Sequence, residues 1–144
     1  MKKFFSVFIM GIILLAQLSC GKSEYKSKYA DENEAAIGVI KETQPELRND
    51  LMRIVAKSDK HDGGGWHMGY YMIVYNESTK LCLPIVVFVM PTSKDEEASK
   101  DLRYYKYKNP RYDVDVDADS KWVPQDQIEM TRNIFNGDIE YHYR

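Results

Sequence analysis

Two neighbouring runs constrain the fold of this 144-residue chain more than any other stretch: Trp66–Tyr75 (WHMGYYMIVY) and Leu81–Met90 (LCLPIVVFVM). Both are rich in aromatic and β-branched residues, which fit a pleated, half-buried surface. Asn76-Glu77-Ser78-Thr79 between them has turn chemistry, so the pair reads as a β-hairpin. The second run is apolar on both faces, as expected of a strand covered from both sides. Pro84 withholds one ladder donor and so marks a bulge or an unpaired side.

Before the hairpin the sequence predicts helices. Asp31-Glu32-Asn33-Glu34 has a capping residue with Glu three positions later, and Ala35, Ala36, Val39 and Ile40 supply an apolar face. Thr43-Gln44-Pro45-Glu46 repeats the capping spacing, and proline is tolerated in a first turn. Leu47, Leu51, Ile54 and Val55 follow at helical spacing, predicting a second helix that ends near Ser58. The glycines Gly63-Gly64-Gly65 then make a loop.

After the hairpin, Pro91–Lys100 reads as a charged loop, and Leu102–Lys108 and Arg111–Asp117 read as strands flanking the Asn109-Pro110 turn. A helix is expected from about Pro124 to Asn136, burying Ile128, Thr131, Ile134 and Phe135 and stopped at Asn136-Gly137. Ile139–Tyr143 alternates as a final strand. The expected class is α+β: N-terminal helices, then a mostly antiparallel sheet of about five strands, with one further helix before the last strand.

The first twenty residues, MKKFFSVFIMGIILLAQLSC, have the shape of an export signal: Lys2 and Lys3, an apolar run from Phe4 to Leu18, then Ser19 and Cys20. The run is shorter than the roughly 20 residues of a transmembrane span and holds Gln17. Its end resembles the bacterial lipoprotein signal, whose pattern is aliphatic, small, Ser/Ala/Gly, then the lipidated Cys. Ser19 and Cys20 match, while Gln17 and Leu18 depart from the usual residues; the LSCG ending is similar to those of the Bacteroidetes. The resemblance implies acylation at Cys20, where each buried methylene contributes about 0.8 kcal/mol to anchoring. The alternative is ordinary cleavage, for example after Gly21. The expected organisation is a signal peptide at 1–19, a lipid-anchored polar tether at 20–30 and a single domain at 31–144.

Without Lys2 and Lys3, the net charge of −2 becomes about −4. That disfavours nucleic acid, which wants a strongly basic face. If Cys20 is acylated, Cys82 has no disulfide partner, and its apolar run marks it as a small buried hydrophobe.

Two features could carry function. The chain has 11 tyrosines, crowded towards its end. Arg103, Tyr105, Tyr107, Arg111 and Tyr112 form a candidate protein interface, because Tyr and Arg are enriched where proteins meet; the alternative is that these tyrosines simply fit strands. Asp115, Asp117, Asp119 and Asp126 fall at positions 1, 3, 5 and 12 of a calcium-loop frame, with Ser120 in place of its glycine and Asp126 in place of its glutamate. The competing reading is a strand with Val114 and Val116 inward and its aspartates in water. His61, Asp62 and His67 match no zinc spacing, and no Ser or Cys sits in a nucleophile context. The expected function is a non-enzymatic, protein-binding envelope lipoprotein, such as an inhibitor or immunity protein acting on a secreted enzyme or toxin. The alternatives are a module for a small ligand, carbohydrate or calcium, and a small envelope hydrolase.

Overall fold

The computed structural model describes residues 25–59, 61–62, 68–92, 107–116 and 120–144, with the backbone alone described at 61–62. Helix α1 spans Glu32–Thr43 and is followed by a single 3₁₀ turn at Pro45–Leu47. The strands are β1 (Met52–Lys57), β2 (His61–Asp62), β3 (Met68–Asn76), β4 (Leu81–Met90), β5 (Arg111–Asp115), β6 (Val123–Pro124), β7 (Ile128–Arg132) and β8 (Ile139–Tyr143). The main sheet runs β1-β3-β4-β5, with β2 also beside β3 and β6 also beside β4; β7 and β8 form a separate hairpin. Every described pairing is antiparallel.

The β3–β4 hairpin is the centre of the molecule, in register from Met68↔Val89 to Asn76↔Leu81. Its turn is closed by Asn76, whose Oδ1 accepts from the backbone N–H of Ser78 (2.8 Å) and Thr79 (3.3 Å). Strand alternation splits the hairpin's side chains between two layers. Met72, Val74, Leu83, Ile85 and Val87 meet Ala35, Ala36 and Ile40 of α1. Ile73 and Cys82 point the other way and pack with Ile128, Met130 and Tyr141 of the β7–β8 hairpin. The sheet is therefore covered on both faces, by a helix and by a hairpin. On the outer flank of β4, β6 pairs with Leu81–Cys82 and β5 with Val86–Met90, so Pro84 falls in the interval between these ladders.

Helix α1 starts as its sequence predicts. Asp31 accepts from the Glu34 N–H at 2.8 Å, while Glu34 Oε2 reaches back to the Ala30 N–H, one residue before the cap. Gly38 lets the Tyr29 ring lie on the helix; a Cβ there would collide with it. Tyr25–Ala30, read from composition as tether, are held against the domain. The Ser27 N–H donates to Asn109 Oδ1 (2.6 Å), Asn109 Nδ2 donates to the Tyr25 carbonyl, and the Tyr29 hydroxyl donates to Glu42 Oε1 (2.9 Å).

Two expected helices are corrected. The second N-terminal helix is absent: after the 3₁₀ turn the chain extends into β1. Thr43 ends α1 and its hydroxyl donates to the Val39 carbonyl at 2.9 Å. Leu51 is 73% exposed, and Ile54 and Val55 belong to opposite packing layers, so the helical stripe never forms. The physical reason is the open flank of β3, which offers a ladder, interrupted by a bulge at Val55, to MRIVAK, a run that holds strand-forming Ile and Val. The expected helix at 124–136 is instead β6, a 3₁₀ turn at Gln125–Gln127 and β7. Ile128 and Met130 alternate towards the sheet, and Asn136-Gly137 closes a hairpin instead of ending a helix.

Candidate functional site

The β7–β8 hairpin carries two features suited to recognition, one at its tip and one at its root. At the tip, Ile134 is 88% exposed and Phe135 is 93% exposed. Both were expected inside a helix face. Strand pairing brings Arg132 opposite Ile139, which leaves Asn133–Asp138 to turn the chain and aims Ile134 and Phe135 at solvent.

The turn is braced from within. The Asn133 N–H donates to the Asp138 carbonyl (2.7 Å) and the Gly137 N–H to the Asn133 carbonyl (2.8 Å). Asn133 Oδ1 accepts from the Phe135 N–H (2.9 Å), and Asn136 Oδ1 from the Asp138 N–H (3.0 Å). Arg132 Nη1 donates to the Gly137 carbonyl (3.0 Å), and Asn133 Nδ2 donates to Glu140 (2.9 Å). Gly137 supplies the positive φ of 77° that the turn requires. Two large apolar side chains thus stand in water on a backbone whose polar groups are tied down.

At the root, a cleft of about 420 Å³ opens between the hairpin and the sheet. Tyr71, Tyr141, Tyr143, Asp115, Glu140 and Ser120 line it, together with Pro84–Val86 of β4. The Tyr71 and Tyr141 rings meet at 50° with centroids 5.9 Å apart. The Tyr141 hydroxyl anchors the hairpin to the sheet: it lies 2.9 Å from both the Met72 N–H and the Met72 carbonyl and 2.5 Å from the Ile85 carbonyl. Burial pushes this phenol far above its ordinary range. Glu140 also faces His142, with Nε2 at 3.6 Å.

The residues singled out from sequence do not converge here. Tyr107 is buried at 4% exposure. Tyr112 packs against the α1 core, where burial and the nearby Glu32 and Asp31 carboxylates push its phenol up to about 12. Arg111 is exposed on β5, donating to Asp113 Oδ2 at 3.1 Å. Tyr107, Arg111 and Tyr112 therefore form no common exposed face, because burial and strand alternation separate them. Arg103 and Tyr105 lie outside the described residues, as do Cys20, His67, Asp117 and Asp119. Asp115 ends β5 beside the cleft, whereas Asp126 is exposed in the 3₁₀ turn at Gln125–Gln127. Among the described residues, no group of three or more His, Cys, Asp or Glu is placed to hold a metal ion.

Sequence reasoning missed the tip and the cleft for different reasons. The tip had a signal, Asn136-Gly137 before an alternating strand, which is a strong short-range hairpin mark. The cleft had none, because it joins β3, β4, β5 and β8 across long separations. Compared with protein families, characterised proteins and solved structures, the chain matches none.

Proposed function

We propose that this chain is an exported, lipid-anchored, non-enzymatic envelope protein that binds another protein through the β7–β8 tip, in the manner of an inhibitor or immunity protein. The observation that carries the reading is the exposure of Ile134 and Phe135 on a turn braced by side-chain and backbone hydrogen bonds. Burying each side chain in a partner's pocket releases about 1.5–3 kcal/mol. The bracing means little conformational freedom of the turn is lost on binding, which lowers the ordering part of the cost of association. The signal at Met1–Cys20 supports an envelope location. On this reading Cys20 lies five residues before Tyr25, so the leash spans at most roughly 18 Å and holds the domain close to the membrane.

The test compares the wild-type domain with an Ile134→Ser/Phe135→Ser variant as bait in envelope extracts of the source bacterium. One partner retained by the wild type should bind the variant at least roughly 30-fold more weakly, the scale of one hot spot. Unfolding free energies of the two should agree within about 0.5 kcal/mol, because neither side chain is buried. A partner held equally by both proteins rules out the tip. Palmitate labelling that is equal in wild type and Cys20→Ala rules out the anchor.

A further inference from the structure

The cleft at the root of the hairpin has a consistent chemical character. Its side chains are acceptors and aromatic faces: the carboxylate of Asp115, the Ser120 hydroxyl, and the rings of Tyr71, Tyr141 and Tyr143; Glu140 borders it on β8 with its carboxylate turned to Asn133 and His142. Among the described residues that line it there is no lysine, arginine or histidine. β4 adds Pro84, which has no N–H to offer, at the interval between the β5 and β6 ladders. A site whose described lining offers negative charge and π-faces complements a positively charged guest.

The geometry narrows the guest further. Tyr71 and Tyr141 form a corner with ring centroids 5.9 Å apart and planes 50° apart. A cation is attracted to an aromatic face when it sits within about 6 Å of the ring centroid. Tyr141 cannot swing out of the corner without breaking its hydroxyl bonds to β3 and β4, so one wall is fixed. Tyr143 stands 52% exposed at the mouth. A volume of about 420 Å³ falls within the range of small-molecule sites, roughly 300–1,000 Å³.

We infer that this cleft binds a small soluble organic cation, an ammonium or quaternary ammonium compound. Its alkyl groups lie against the tyrosine corner and its charge faces Asp115. The site is separate from the Ile134–Phe135 tip, so either can fail without the other.

Titration calorimetry of the soluble domain with choline tests the inference. 3,3-Dimethylbutanol, the same shape with carbon in place of nitrogen, serves as the uncharged control. Choline should bind saturably, and the alcohol at least roughly 10-fold more weakly. Tyr143→Ala and Asp115→Asn should each weaken choline by roughly 3–30-fold, whereas Glu140→Gln, on the outer face of β8, should leave it unchanged. Asp115 and Tyr143 are exposed, so their variants keep the fold, and glutamine at 140 can still accept from Asn133. Equal binding of choline and the alcohol would overturn the inference. So would choline affinity untouched by both Tyr143→Ala and Asp115→Asn, stronger binding of N-acetylglucosamine than of choline, or no choline heat at millimolar concentration.

Discussion

Tyr141→Phe removes a single oxygen and isolates what joins the hairpin to the sheet. The ring stays, so its packing with Ile73, Cys82 and Ile128 is preserved. The lost oxygen lies 2.9 Å from the Met72 N–H, 2.9 Å from the Met72 carbonyl and 2.5 Å from the Ile85 carbonyl. A hydroxyl has one proton, so it accepts from Met72 and donates to one of the two carbonyls at a time. Two hydrogen bonds at about 1 kcal/mol net each give an expected loss of roughly 2 kcal/mol. In urea unfolding followed by circular dichroism, the midpoint should fall while the slope stays constant, since the surface exposed on unfolding hardly changes.

The same substitution has a pH signature. Burial raises the folded-state pKa of Tyr141 above that of the unfolded chain. Above about pH 10 the unfolded state then ionises while the folded state keeps its proton, so ionisation favours unfolding. The wild type should lose stability as pH rises past about 10, and Tyr141→Phe should lose less over the same range. Tyr112, held at about 12, contributes to the residual slope in both proteins. A variant within about 0.5 kcal/mol of wild type at neutral pH, with an identical alkaline slope, would refute the reasoning.

Asn76 is fully buried, donates to Asp50 Oδ2 at 2.7 Å and caps the β3–β4 turn, so Asn76→Ala should cost about 2–4 kcal/mol in chemical unfolding. Asn76→Asp places a second carboxylate against Asp50, and its unfolding midpoint should be lower at pH 7 than at pH 4 relative to wild type. Cys82 is fully buried and burial raises its thiol pKa, so native protein at pH 8 should react with a disulfide reagent only as fast as it opens, and promptly in denaturant.

What could be read along the chain was what local chemistry controls. The Asp31 cap of α1, the turn at Asn76–Thr79 and the extents of β4 and most of β3 follow from short-range pattern. So does the two-sided burial of Leu81–Met90, because a strand apolar on both faces needs two covering layers. The failures occur where a sequence supports two periods. Leu47, Leu51, Ile54 and Val55 fit a helix, but Met52–Lys57 also fits a strand, and β3 had a flank to pair. Ile128, Ile134 and Phe135 suggested one buried face, yet only Ile128 is buried.

The sequence by itself determined the central hairpin and the need for a layer on each of its faces. It also determined, through Met1–Cys20, the expectation of an exported chain. Tertiary structure alone decided that one layer is a helix and the other a hairpin. The residues of that second layer had no register of their own until Ile128, Met130 and Tyr141 met Ile73 and Cys82. Once that face was buried, the pairing of β7 with β8 carried Ile134 and Phe135 beyond the core, onto the turn. The cleft arises the same way: Asp115 and the tyrosines come from strands far apart in the chain, and only the packed sheet brings them around one cavity.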